Sequence, residues 1–353
     1  MSSESLEVLL TTVPGLEEIV EQDLFTDHRI KNVYYRKLTG RVYATLKEDS
    51  NTLHRLHSLG CVERVILLLC QGNTEKLKKD IKSESIVNYL SPWMSFMVRT
   101  LRVGQHELSS IDFSNIVGNL IQNYALQQFG RNIRVSLSDP DIIFYLEVKG
   151  PIFRLGVDLT GLNALHRRTY RAYLHPSALN PLIAYAMCKL SEINQKRHVL
   201  DPMCGSGTIL IEGKKINPEI DAWGLDINPR HIEGARHNAK KANLNIKFET
   251  CDLADIDQLF QPGYFDAIIV NPPFGLREKS IYNIPTLYNL LIEKSKLLLN
   301  QNGTLCLLTP RKKLVIKILR AYNFMIKKIL TINHGGLTSH IIVAINQDKT
   351  LKA

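Results

Sequence analysis

The sequence predicts an α/β chain in two parts: an α+β front half, then a doubly wound, mostly parallel sheet with an antiparallel hairpin at one edge. Three observations predict it. From residue 177 onward strand-like and helix-like patterns alternate, which implies parallel strands with helices on both faces. Residues 161–176 (GLNALHRRTYRAYLHP) carry neither period and read as a linker. The charge also changes there. Residues 1–160 hold 18 Lys+Arg against 19 Asp+Glu, whereas residues 161–353 hold 26 against 15 within a total of +10.

Each element follows from local pattern. Leu6–Thr11 alternates as a strand, Pro14-Gly15 opens a helix running to Leu24, and Val33–Tyr35 and Gly40–Leu46 read as a further pair of strands. Phe113–Phe129 places Ile116, Val117, Leu120, Ile121, Tyr124 and Ala125 at helical spacing and ends at Gly130. Arg134–Leu137, Ile142–Val148 and Ile152–Leu159 read as strands. The second half predicts helices over Ser177–Ser191, Thr208–Ile216, Pro229–Ala242, Ile256–Phe260, Thr286–Leu299 and Lys312–Tyr322. Between them lie strands at His198–Asp201, Ala222–Asp226, Lys247–Cys251, Phe265–Val270 and Gly303–Leu308. Lys328–Asn333 and Ile341–Ile345, joined across Gly335-Gly336, make the hairpin.

Composition narrows the classes. At 353 residues, 44% hydrophobic and 22% charged, the chain is long enough for two or three cores and reads as an ordinary globular protein. Its longest purely apolar run, Val65–Cys70, is far below the ~20 residues of a membrane span. The opening MSSESLEVLL lacks the basic and apolar regions of a secretory signal. Six scattered cysteines with no CxxC pair argue against a zinc ribbon or a disulfide framework and for a reducing cytoplasm. The acid-free run from Arg311 to Lys328 (Arg311, Lys312, Lys313, Lys317, Arg320, Lys327, Lys328) suits phosphates.

Three constellations carry chemistry. Asp201-Pro202-Met203-Cys204-Gly205-Ser206-Gly207-Thr208 sits between a strand and a helix, where glycines admit a ligand and the helix N-terminus offers free N–H groups. Leu210 stands where a dinucleotide fingerprint has its third glycine, which favours a smaller nucleoside ligand. Asp226 ends the next strand about 20 residues on, where a carboxylate accepts ribose hydroxyls. Asp252 ends the third, placed for an adenine amino group, although each acid could equally cap a helix. Asn271-Pro272-Pro273-Phe274 ends the fourth strand as a stiff loop. The Asn271 oxygen and Pro272 carbonyl can accept both hydrogens of a planar exocyclic amine, localising its lone pair, while Phe274 offers a stacking face. Cys204 reads as a small turn residue, not a nucleophile. His231 and His237 have no third ligand nearby, so no metal is expected.

On these residues the chain resembles the class I S-adenosylmethionine-dependent methyltransferases, Asn271–Phe274 matching their N/D-P-P-Y/F/W motif for amino groups. Thr12-Val13-Pro14-Gly15-Leu16-Glu17, the Val117-Gly118 helix and Leu137-Ser138-Asp139-Pro140-Asp141 resemble the ferredoxin-like and THUMP region of RNA-modifying enzymes. The whole chain is similar to the THUMP-containing RNA guanine-N2 methyltransferases, nearest to those acting on position 6 of the tRNA acceptor stem. The resemblance implies a ferredoxin-like domain (1–70), a THUMP domain (71–160), a linker (161–176) and a Rossmann-like methyltransferase domain (177–353). It implies S-adenosylmethionine bound through His175, Pro176, Asp201, Cys204, Gly205, Ser206, Gly207, Thr208, Asp226, Ile227, Asp252, Leu253 and Asn271. Asn271, Pro272, Pro273 and Phe274 would act on the target, and Arg167, Arg168, Arg171, Arg311, Lys312 and Lys313 would meet RNA. Thr169 replaces a family glycine, and Phe274 replaces the commoner Tyr while keeping its ring. Family members acting on tRNA position 10 usually carry Asp-Pro-Pro-Tyr, so Asn271 favours position 6 or the ribosomal guanine-N2 relatives. A monomer acting on tRNA, with no membrane or metal partner, is the expectation. A protein glutamine amide as substrate is opposed by the THUMP-like half and the basic segment. A catalytically dead RNA-binding protein is opposed by the intact Asp226, Asp252 and Asn271.

Overall fold

A computed structural model describes residues 5–47, 50–174, 178–275 and 283–347. The chain divides into two compact units. The first comprises Met1–Thr11, Glu21–Arg36 and Arg41–Leu165; the second comprises Thr12–Val20, Lys37–Gly40 and His166–Ala353.

The first stretch of chain forms β1 (Ser5–Thr11), α1 (Glu17–Leu24), β2 (Ile30–Tyr35), β3 (Arg41–Lys47), α2 (Ser50–Ser58) and β4 (Arg64–Asn73). Two short helices, α3 (Leu77–Asp80) and α4 (Glu84–Val87), precede β5 (Ser95–Val103), α5 (Ser110–Phe129), β6 (Arg134–Val135), β7 (Ile142–Lys149) and β8 (Ile152–Asp158). One sheet orders them β2-β3-β1-β4-β8-β7-β5-β6. Its first four strands pair antiparallel in ferredoxin-like order. β4 pairs with β1 through Arg64–Leu67 and with β8 through Ile66–Asn73, so residue 70 lies within the strand that joins the two halves of the sheet. The sequence reading missed β4 and β5. The centre of β4, Val65–Leu68, is a continuous apolar run without the alternation that marks half-buried strands, and β5 breaks its apolar residues with Arg99, Thr100 and Arg102.

Buried charges hold this sheet. Asp158, whose side chain is fully buried, takes a 2.7 Å ion pair from Arg64 and another from Arg99. α5 starts on a capping box, Ser109 Oγ accepting from the Asp112 N–H while Asp112 accepts from the Ser109 N–H, and stops at left-handed Gly130.

The second unit contains α6 (Pro181–Leu190), β9 (His198–Asp201), α7 (Thr208–Ile216), β10 (Asp221–Asp226), α8 (Pro229–Lys241), β11 (Lys247–Thr250) and β12 (Phe265–Val270). α9 (Ile284–Leu298), β13 (Leu299–Thr309), α10 (Lys312–Ala321), β14 (Phe324–His334) and β15 (Leu337–Asn346) complete it. α6 starts at Pro181, four residues later than the expected Ser177. Asn180 caps it through a 2.9 Å bond from the Leu182 N–H, and the residue before a proline is driven to extended backbone. Residues 253–258, expected to begin a short α-helix at Ile256, form a 3₁₀ turn capped by Asp252.

The sheet order is β11-β10-β9-β12-β13-β15-β14, with the first five strands parallel and β15 antiparallel between β13 and β14. The chain steps from β9 outward to β11, then returns to β12 on the other side of β9. The order therefore reverses between β9 and β12, which places the loops after them on either side of the crevice where open α/β sheets bind ligands. Thr12–Glu17 joins this unit too. Gly15 has φ +106°, and a Cβ there would stand 2.2 Å from the Thr331 carbonyl oxygen. Buried Glu17 accepts the Gly15 N–H at 3.0 Å and the Gly40 N–H at 2.6 Å.

Candidate active site

A cavity of about 890 Å³ opens at the carboxyl ends of the parallel strands in the second unit. It gathers Asp201, Cys204, Gly205, Ser206, Thr208, Asp226, Ile227, Asp252, Leu253 and Asn271–Phe274. Gly207 caps α7 with φ +76°, and a Cβ would meet Phe248 and Ala235 there, so the turn admits only glycine. His175 and Pro176 lie outside the described residues.

The turn after β9 is held at several points. Its Gly205 N–H donates to Asp226 Oδ2 at 3.0 Å, its Cys204 N–H to the Leu225 carbonyl at 2.7 Å, and its Gly207 N–H to the Cys204 carbonyl at 2.8 Å. Burial pushes the Asp201 carboxyl well above the usual carboxylate range, and the neighbouring Asp226 acts in the same direction. Asp201 accepts the Met203 N–H at 3.2 Å and so holds the turn from beneath. Burial likewise pushes the Cys204 thiol up, which leaves it a neutral packing group.

Asp226 and Asp252 close the other flank. Asp226 Oδ1 accepts the Asn228 N–H at 2.9 Å and the His231 Nδ1–H at 3.0 Å, while Asn228 Nδ2 donates to His231 Nε2 at 3.2 Å. The ring therefore orients the carboxylate. Sequence reading weighed His231 only as a metal ligand and missed its contact with Asp226, although five residues beyond Asp226 in the first turn of the next helix is a spacing that lets the two meet. Asp252 caps the following 3₁₀ turn through the Ala254 N–H at 2.9 Å. Among the described residues no group of three His, Cys, Asp or Glu is placed to hold a metal ion.

Asn271 follows β12. Its Oδ1 is buried and accepts no hydrogen bond among the described residues. An orphaned buried acceptor costs about 1–3 kcal/mol, a cost that a donor from a bound molecule would relieve. Pro272, Pro273 and Phe274 line the same wall. The β14–β15 turn lines the same cavity through Ile332, His334, Gly335 and Leu337. Gly335 and Gly336 both have positive φ, the geometry of a tight two-residue hairpin turn. Because β14 runs parallel to β12 and β13, this turn emerges at the ligand edge of the sheet, a placement invisible to local sequence pattern.

The cationic residues separate into two kinds. In the linker, Arg168 makes a two-pronged contact with the buried Glu212 at 3.1 and 3.3 Å, Tyr170 donates to Glu212 at 2.8 Å, and Arg167 is exposed. Arg171 Nε is buried and donates to nothing among the described residues. Arg311 precedes α10, where Lys313, Lys317 and Arg320 are exposed at i, i+4 and i+7 on one helix face, with Lys312 half-buried. Lys327 and Lys328 pair with Glu192 and Glu18 at 2.8 and 2.6 Å. The acid-free sequence run is thus a helix stripe followed by two lysines that tertiary contacts neutralise.

Known proteins share this arrangement. Residues 168–340 match the family model described as UPF0020: RMKL-like, methyltransferase domain. The chain is 29% identical over 385 residues to the tRNA (guanine(6)-N2)-methyltransferase of Methanocaldococcus jannaschii, covering 95% of this chain and 99% of that protein. Identity to the enzyme of the same name from Archaeoglobus fulgidus is 27% over 359 residues, covering 94% and 90%. The crystal structure of TrmN from Thermus thermophilus matches with a TM-score of 0.80 at 25% identity, covering 97% of this chain and 99% of that one. S-adenosylmethionine supplies an electrophilic methyl group when bound. The residues fit it: glycines and two strand-end carboxylates at one end of the cavity, an orphaned amide oxygen and an aromatic ring at the other. Residues 168–340 thus carry an RMKL-like methyltransferase domain, and over nearly its whole length the chain is similar to tRNA guanine-N2 methyltransferases.

Proposed function

We propose that this enzyme forms N2-methylguanosine in tRNA, at position 6 of the acceptor stem. The observation that carries the reading is the buried, unpartnered Asn271 Oδ1 beside Pro272-Pro273-Phe274, at the mouth of a pocket with room for cofactor and base. A guanine N2 amine donates one hydrogen to Asn271 Oδ1 and the other to the Pro272 carbonyl. Two acceptors draw the lone pair out of conjugation and aim it toward the methyl group, and Phe274 stacks on the extruded base. The proton leaves to water after transfer. Gly205, Gly207, Asp226 and Asp252 hold the cofactor in this reading. The names of the full-length relatives support guanine 6 as the target.

The ferredoxin-like and THUMP half (1–160) grips the RNA, while Arg167 and the Arg311, Lys313, Lys317 and Arg320 group contact phosphates. The protein works as a monomer in the cytoplasm. The six cysteines are all unpaired thiols, as a reducing compartment favours, and among the described residues no helix is long and apolar enough to cross a membrane.

The test is nucleoside mass spectrometry of unmodified tRNA incubated with the protein and S-adenosylmethionine. N2-methylguanosine that disappears when guanine 6 is replaced by adenine is the expected result. N2-methylguanosine surviving that replacement would move the site, and a methylated adenosine in its place would overturn the assignment of the base.

A further inference from the structure

Asn238, on α8, is only 1% exposed and does not line the cavity, yet its amide is fully used. Oδ1 accepts the Tyr173 N–H at 2.8 Å, and Nδ2 donates to the Tyr173 carbonyl at 2.9 Å and to the Ser206 carbonyl at 3.0 Å. One side chain thus grips both polar groups of a linker residue and a carbonyl of the cofactor turn. One helical turn earlier, Gly234 receives the Tyr173 ring: a Cβ there would stand 2.2 Å from Tyr173 Cδ1. The linker is therefore seated on α8 twice, once by hydrogen bonds and once by ring-on-backbone packing. Ser206 in turn sits between Gly205, whose N–H reaches Asp226, and Gly207, which starts α7.

We propose that Asn238 is a positioning residue for cofactor binding, and that the seat of the linker on α8 sets the geometry of the Gly205–Gly207 turn. The proposal rests on the assignment of that turn to the cofactor. Both amide hydrogens of Asn238 are committed, one to Tyr173 and one to Ser206, so displacing Tyr173 pulls on Ser206 through a shared side chain. Buried amides satisfied on all sides transmit displacement because each broken bond leaves an unsatisfied group.

The test is calorimetric titration of the full chain with S-adenosylhomocysteine, with thermal unfolding in parallel. Asn238→Ala should weaken binding roughly tenfold. Gly234→Ala touches neither the amide nor the turn, and alanine is the better helix former. Its Cβ nevertheless displaces Tyr173, and we expect a comparable loss of affinity with the protein still folded. Adding Tyr173→Ala removes the collision and keeps the residue-173 peptide groups, so affinity should return to within about threefold of the wild type. Wild-type affinity in Gly234→Ala, or a loss that persists in the double variant, would overturn the proposal. No binding by the wild type would instead overturn the cofactor assignment itself.

Discussion

Gly205 and Asp226 meet across two neighbouring strand ends. The glycine N–H donates to one carboxylate oxygen at 3.0 Å, while the other oxygen takes the Asn228 N–H and the His231 ring. The acid expected to receive a ribose is thus already the anchor of the turn that faces it. Its orientation is fixed before any ligand arrives, and preorganisation of this kind spares the cost of ordering on binding.

Asp226→Ala removes that anchor and the ribose acceptor together. S-adenosylhomocysteine affinity should fall by at least about tenfold, with two charge-assisted bonds lost. Calorimetry checks it, and unchanged affinity would refute the ribose assignment.

Asn271→Ala deletes the acceptor while leaving the cofactor turn intact. The single-turnover methylation rate should drop by roughly 10²–10³, the scale of losing one preorganised electrostatic contact. RNA affinity should hold. A variant that methylates at the normal rate would sink the positioning mechanism.

Lys317→Ala and Arg320→Ala test the α10 stripe. Each should weaken tRNA binding and lower the slope of log affinity against log salt by about 0.7–0.9, one phosphate contact apiece. A slope that does not move would place the RNA elsewhere.

Asp158→Ala leaves Arg64 and Arg99 without their shared counter-ion in the first unit. Breaking a buried pair costs about 3–5 kcal/mol, and denaturant unfolding should show a loss of that order.

Asp27 contributes to acid sensitivity. Hydrogen bonds and charge from Arg29, opposed by burial and helped by Arg55, hold its carboxyl far below the usual carboxylate range. A depressed folded-state pKa contributes stability above the unfolded value and loses it as pH falls through the folded one. Asp27→Asn should therefore unfold at lower temperature than the wild type at neutral pH, and the gap should close in strong acid. A gap independent of pH would refute the ion-pair account.

Much of the second unit was legible in the chain. β9, α7 and β12 begin and end where the pattern placed them, because each is bounded by a residue with one conformational option: Asp201-Pro202 and Gly207 around the first turn, Asn271-Pro272 after β12. The turn after β9 and the Asn271–Phe274 loop were readable for the same reason. The sequence could not show that Ile332, His334 and the Gly335-Gly336 turn line the same cavity as Asn271. Nor could it show that Lys327 and Lys328 are neutralised by Glu192 and Glu18, 135 and 310 residues away. By itself the sequence determined the strand-end chemistry, since turn geometry and residue type are local. Only the tertiary structure decided which strand ends become neighbours, which cations are paired with distant acids, and that one buried asparagine joins the linker to the turn after β9. Those follow from strand order and long-range packing, whose energies no local window contains.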